Sequence, residues 1–398
     1  MRLRPLEELT AEEVGLEELL NSMRSMLRSN SVASSLAVKG NRVIDGDADY
    51  WALRWLRCRL APVSEGLREG GPVPLEALGF YDNAVSNEYR AYRDVMELLS
   101  NDRPTPMVML RGDWGPGVRV WAKLEWYNPL SLSIKDRTAL GVLTEALSRN
   151  PNARKIFEVS SSNTGIALAA LSAALGLRAR IYVPTTAEDF GPSMLRVLGA
   201  EVVVRGSSTV EALPSAIEEA RAEGAIMPNQ FENIANPLMH VGTTAKEIDL
   251  QANFLGLKLR GIFVTLGTRG HSAGIAFYFK NRRPDVKVFG VQPAEGSIIP
   301  GIRRQDPSRW WPMAERPDEI IDVTDSEAID SAIAVARTNG LLFGMSGGAA
   351  VAALLKKGKL EEGDYVLVVP DHGIKYLDRY LSRLGNEGVV GGGHQGSR

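Results

Sequence analysis

The sequence predicts an α/β protein in which mainly parallel sheets are covered by helices, preceded by a helical extension. Two observations carry this. From about Pro104 onward, apolar runs such as Lys155-Ile156-Phe157-Glu158-Val159, Gly261-Ile262-Phe263-Val264-Thr265 and Tyr365-Val366-Leu367-Val368-Val369 alternate with longer helical stretches. Runs that are apolar at consecutive positions fit strands buried on both faces, as in parallel sheets. Before that point, apolar residues recur at helical spacing, from Leu16 to Leu27 and from Tyr50 to Leu60.

Taken in order, residues 1–95 read as the helical extension, with polar and glycine-containing pieces around Asp45-Gly46-Asp47 and Glu69-Gly70-Gly71-Pro72. Val118 to Trp126 alternates like a strand and is broken by Asn128-Pro129. A helix start follows at Asp136-Arg137-Thr138-Ala139. Lys155–Val159 is a strand, then a helix runs through Leu175. Arg178–Val183 is the next strand, closed by Pro184. A helix to Leu198-Gly199 leads to the strand Glu201–Val204, and a helix from Thr209 to Glu223 leads to a strand at Ala225-Ile226-Met227. Further strands are expected at 261–265, 286–291 and 365–369, with a glycine-rich flexible tail after residue 385.

Composition narrows the function. The chain of 398 residues is 44% apolar and 24% charged, which suits a soluble globular protein with a large core. Its net charge of −2 gives no bias toward nucleic acid or an anionic membrane. Cys58 is the single cysteine, so no intramolecular disulfide forms. The histidines are His240, His271, His372 and His394, none at i, i+4 spacing, and no metal site is expected. Met1 to Leu20 lacks the apolar centre of a secretory signal, and the longest apolar stretch, Gly165 to Leu177, is too short to span a bilayer. A cytoplasmic protein is the expectation.

The chemistry centres on Lys135, in Asn128-Pro129-Leu130-Ser131-Leu132-Ser133-Ile134-Lys135-Asp136-Arg137. A lysine at a strand-loop-helix junction can be kept partly desolvated, as a Schiff-base amine requires. Ser160-Ser161-Ser162-Asn163-Thr164-Gly165 opens a helix; it reads equally as an anion site for a carboxylate or as a plain cap. Thr265-Leu266-Gly267-Thr268-Arg269-Gly270-His271-Ser272 follows a strand and opens another helix, so its amides can cradle a phosphate. It matches neither the P-loop nor the dinucleotide fingerprint. Ser346, in Gly344-Met345-Ser346-Gly347-Gly348, suits a ring nitrogen or an N-cap, and Arg303-Arg304 suits a phosphate or carboxylate.

Together these pieces resemble the fold-type II pyridoxal-phosphate enzymes of the cysteine synthase and cystathionine β-synthase family. The matching segments run in the family's order: 128–137, 160–165, Asn229-Gln230-Phe231-Glu232-Asn233 with Asn236-Pro237 and His240, Gly267 to His271, Ser346-Gly347-Gly348, and Pro370-Asp371-His372-Gly373 with Tyr376-Leu377. The extension, the Ser-Ser-Ser-Asn loop and Pro300-Gly301-Ile302-Arg303-Arg304 resemble the archaeal O-phosphoserine sulfhydrylases. The resemblance implies a two-domain fold: a larger cofactor domain of residues 96–128 with 237–385, a smaller mobile substrate domain of 129–236, and the tail 386–398.

The resemblance further implies that Lys135 forms the Schiff base with pyridoxal 5'-phosphate and later acts as general base. Asn163 would hydrogen-bond the cofactor's phenolic oxygen, while Gly267, Thr268, Arg269, Gly270 and His271 would hold its phosphate and Ser346 its pyridine nitrogen. Ser160, Ser161, Asn163 and Gln230 would hold the substrate carboxylate, and Arg303 a leaving phosphate. The implied reaction makes cysteine from O-phosphoserine, or O-acetylserine, and sulfide through an aminoacrylate. Cystathionine synthesis, threonine synthase or dehydratase chemistry and an inactive scaffold subunit are the alternatives. A homodimer is expected from the family. Two features depart from the bacterial and plant cysteine synthases, which usually carry Gly at the position of Ser162 and Gly-Thr-Gly-Gly-Thr where Arg269 and His271 stand here.

Overall fold

In the computed structural model, residues 1–82, 89–306 and 310–388 are described. A six-stranded sheet runs in the order Glu319–Val323, Lys287–Pro293, Leu259–Thr265, Gly363–Val369, Val118–Leu124, Met107–Leu110. Every pairing is parallel except the last, where Met107–Leu110 lies antiparallel at the edge. The strand residues alternate between two cores. Ile262, Val264, Val366 and Val368 face one core, while Phe263, Tyr365, Leu367 and Val369 face the other. Burial on both faces is what the consecutive apolar positions encode.

A second sheet is three-stranded and parallel, in the order Glu201–Val204, Arg178–Val183, Lys155–Val159. Helices Lys135–Arg149 and Asn163–Ala174 cover one face around Ile156 and Ile181, and helix Thr209–Ala222 covers the other around Phe157 and Tyr182. The expected strand at 225–227 shrinks to a single bridge from Ile226 to Ile156. Pro228 follows at once and cannot extend the ladder.

The extension departs from the helical expectation. Its two helices are present, at Leu16–Ser29 and Asp47–Trp55, but they pack on a four-stranded sheet ordered Arg2–Pro5, Leu60–Glu65, Leu36–Lys39, Arg42–Asp45. The second helix stops at Trp55, and Leu60 opens a strand instead of closing the helix. Strands of four to six residues carry too few alternations to register as a period, so they read as connecting pieces.

The extension is welded to the large-sheet side. Met23, Met26 and Leu27 share a core with Ile275, Phe277 and Phe279. Arg24 pairs with Glu315 at 2.8 Å. Buried Lys246 donates to the carbonyls of Leu56 and Phe80, each at 2.6 Å. Helix Leu377–Gly388 reaches into the expected tail; residues 389–398 lie outside the described residues. Among the described residues no helix is long and apolar enough to cross a membrane.

Candidate active site

Parallel strands bring their C-terminal ends to one edge, and the loops that leave those ends form the site. Lys135 follows Val118–Leu124, the Gly267–His271 turn follows Leu259–Thr265, Asp371 follows Gly363–Val369, and the Arg303 loop follows Lys287–Pro293. Ser160 to Asn163 leaves the second sheet at the end of Lys155–Val159.

Lys135 is the first residue of helix Lys135–Arg149. The loop before it is pinned by Asp136, whose carboxylate accepts from the amides of Leu130 at 2.7 Å and Ser131 at 2.9 Å. Leu132 takes a left-handed φ of 48°, and Ser133 Oγ accepts from the Lys135 amide at 3.1 Å. Burial pushes the Lys135 ammonium down to about 8, with the Asp371 carboxylate pulling the other way. A lysine so poised has an appreciable neutral fraction near physiological pH, which is the nucleophilic form.

Two residues on in the same helix, Arg137 centres a fully buried charge network that the sequence reading did not foresee. Arg137 donates through Nε and Nη2 to Glu125, at 2.7 and 3.0 Å, and through Nη2 to Glu247 at 2.8 Å. Lys123 Nζ donates to the same Glu247 oxygen at 2.8 Å. Burial alone would raise the Glu247 carboxyl, but Arg137, Lys123 and Arg103 hold it well below its usual range. Such a cluster persists because each charge has opposite partners and hydrogen bonds. It fixes the strand end and the helix start that flank Lys135.

The Gly267–His271 turn is shaped by close approach. A Cβ on Gly267 would stand 2.5 Å from the Gly301 carbonyl, and one on Gly270 1.9 Å from Asn236 Oδ1. Asn236 Nδ2 donates to Thr268 Oγ1 at 3.1 Å and to the Gln230 carbonyl at 2.7 Å, linking the turn to segment 229–233. Arg269 takes φ 66°, the left-handed region that glycine enters freely, and it stands where the resembled family usually carries glycine. Its guanidinium sits 5.6 Å from the Trp310 ring centre, and Trp311 Nε1 donates to the Thr268 carbonyl at 3.0 Å. Both tryptophans back the cup and were missed; no local motif marks them.

His271 is buried, its ring edge-on to His240 at 5.9 Å between centres. Both of its ring nitrogens lack a hydrogen-bond partner among the described residues. Burial pushes the imidazole down to about 3, and the Lys135 ammonium adds to the push. A buried, neutral histidine at a helix N-terminus with both nitrogens unsatisfied is a site short of a polar ligand. This fits a phosphate group held by the turn.

Around Asn163 the structure adds partners. Its Nδ2 donates to Asp371 Oδ2 at 2.9 Å, and its Oδ1 accepts from Lys375 Nζ at 2.6 Å. Ser160 Oγ caps the helix by accepting from the Gly165 amide at 2.9 Å, while Ser161 is exposed at the turn. Gln230 also braces the turn, donating through Nε2 to the Val159 carbonyl at 3.0 Å and accepting from Thr164 at 2.7 Å. Ser346 is buried in the first turn of helix Met345–Lys357, which Gly348 lets pack tightly: a Cβ there would lie 2.1 Å from the Ala328 carbonyl. Arg303 projects over Phe231 at 5.4 Å, next to Gln230, whereas Arg304 turns away to Asp322 at 2.6 Å.

The chain belongs to the pyridoxal-phosphate dependent enzyme family, whose pattern matches residues 98–371, a span that holds Lys135, the Asn163 turn and the glycine-shaped cup. Within it the likeness is to the cysteine synthases. Cysteine synthase B of Salmonella typhimurium is 34% identical over 302 residues, covering 73% of this chain and 94% of that protein. The crystal structure of cysteine synthase from Entamoeba histolytica aligns with a TM-score of 0.65 and 28% identity, over 75% of this chain and 93% of that one. An O-ureido-L-serine synthase structure aligns with a TM-score of 0.65 and 27% identity, over 77% and 98% of the two chains.

Proposed function

We propose that this protein makes L-cysteine from O-phospho-L-serine and sulfide, with O-acetyl-L-serine as a second donor. When bound, pyridoxal phosphate supplies the electron sink for charge developing at the substrate Cα. Lys135 takes the Cα proton, and its lowered basicity suits it to give that proton back near neutral pH. The Cβ–O bond breaks with its electron pair leaving on phosphate, and sulfide forms the new Cβ–S bond. Ser160, Ser161, Asn163 and the free amides of helix Asn163–Ala174 bind the substrate carboxylate, with Gln230 shaping the turn from behind. Residues 129–236 form the smaller domain, which closes over the substrate and excludes water.

The observation that carries the choice of donor is Arg303. Its loop leaves the large sheet and sets a guanidinium over Phe231, at the end of the second sheet where the substrate's β-substituent would depart. A dianion leaving in a low-dielectric cleft needs a fixed cation.

The test is steady-state kinetics with each donor, following phosphate release and cysteine formation. Arg303→Ala should lower kcat/KM for O-phosphoserine by about 10²-fold and leave O-acetylserine within a factor of about two. Equal loss for both donors, or none, would remove the phosphate role from Arg303. The likeness to an O-ureido-L-serine synthase structure makes the nucleophile the second variable, and sulfide should outcompete homocysteine in the same assay.

A further inference from the structure

The turn from Asp371 to Tyr376 meets both the Lys135 loop and the Asn163 turn, through one side chain. Lys375 is buried, with its side chain 3% exposed. Its Nζ donates to the Ser131 carbonyl at 2.6 Å, the Leu132 carbonyl at 3.3 Å and Asn163 Oδ1 at 2.6 Å. It stands 3.8 Å from Asp371 Oδ2. That carboxylate oxygen also accepts from Asn163 Nδ2 at 2.9 Å and from the Tyr376 hydroxyl at 2.6 Å.

The two ends of the Asn163 amide therefore meet opposite charges. A cation holds the carbonyl oxygen and an anion holds the NH₂ group. Rotating the amide by half a turn would set its NH₂ against an ammonium and its oxygen against a carboxylate. Both contacts would become repulsive, and charge-assisted hydrogen bonds would be lost in a buried place. Orientation matters because an amide can present either a donor or an acceptor to a ligand. In the observed orientation, the second Nδ2 hydrogen remains to donate to an acceptor in the site.

We propose that Lys375 is a positioning residue for the reaction: it fixes the Asn163 amide so that a hydrogen-bond donor, not an acceptor, meets the cofactor's phenolic oxygen, and it adds a positive charge behind that contact. The inference rests on the reading that Asn163 contacts that oxygen. Lys375 also ties down the Ser131 and Leu132 carbonyls, so a scaffold role is the rival explanation. The two roles separate by whether Lys375 acts through Asn163.

The experiment measures the dissociation constant of pyridoxal phosphate and the pH titration of the visible cofactor band, in wild type, K375M, K375R, N163A and N163A/K375M. Circular dichroism melts check that each variant is folded. K375M is expected to weaken cofactor binding by about 10- to 100-fold and to move the midpoint of the band's titration. K375R should restore most of both, and K375M should add little in the N163A background. An equal fold-loss in both backgrounds, or an unchanged K375M band and affinity, would overturn the proposal and leave Lys375 as scaffold. Should K375M not fold, K375A, which likewise removes both the N–H donor and the charge, is read by the same criteria. If N163A itself changes neither readout, the role of Asn163 falls, and this inference falls with it.

Discussion

Two sets of buried polar groups flank the same helix start, and they are finished differently. In one, Arg137, Glu125, Glu247 and Lys123 are joined by hydrogen bonds and ion pairs. In the other, both nitrogens of His271 and one oxygen of Asp371 are buried with no hydrogen-bond partner among the described residues. A satisfied network costs little to keep and much to break, so it serves as scaffold. An unsatisfied one costs free energy in the empty protein, and a bound ligand relieves that cost. The contrast separates the residues that hold the site from those that use it.

The contrast can be broken most severely at Lys135. Lys135→Ala should lower turnover by about 10³-fold or more and abolish the covalent cofactor band, while the melting temperature of the cofactor-free protein stays the same or rises. A cofactor-free protein that melts much lower would assign Lys135 to the scaffold side.

On the scaffold side, Arg137→Ala should cost about 3–5 kcal/mol, read from urea unfolding, because it leaves Glu125 and Glu247 buried without their main partner. A loss under about 1 kcal/mol would show that water enters and repairs the network. On the ligand side, His271→Ala should do the reverse: little change in the stability of the cofactor-free protein, and about 10-fold weaker cofactor binding.

The smallest effect sharpens the comparison through pH. Lys135 is held at about 8 in the fold against an ordinary value of 10.5, so between these values the unfolded chain binds the proton and the folded chain does not. The penalty is therefore in full force below about 8 and fades as pH rises toward 10.5. Lys135→Met should stabilise the cofactor-free protein near neutral pH, and the gap should close in alkali. The rate of cofactor uptake by wild type should climb through about 8 and then level, since the neutral amine is the reactive form. A pH-independent rate would deny that desolvation.

Much of this was legible in the chain. Consecutive apolar residues at 261–265 and 365–369 specify strands buried on both faces, and that period survives any context. Glycines at 267 and 270 and the polar runs at strand ends mark the site because close backbone approach and helix N-termini need those residue types locally. What the sequence hid is what depends on distant partners. The sheet of the extension is built from strands too short to show a period. The side-chain direction of Arg269 was set by Trp310, which lies some forty positions on. The motif marks Gln230, but that its amide also ties Val159 to Thr164 is a contact only the fold supplies.

By itself, then, the sequence determined the fold class and the cofactor family, since both are written in short-range pattern. Tertiary structure alone decided that Glu247 lies under Arg137, that Lys375 holds Asn163 and that Arg303 crosses to Phe231. Those contacts join positions separated by tens to hundreds of residues. Their geometry comes from how the strands stack side by side, which no local run of residues encodes.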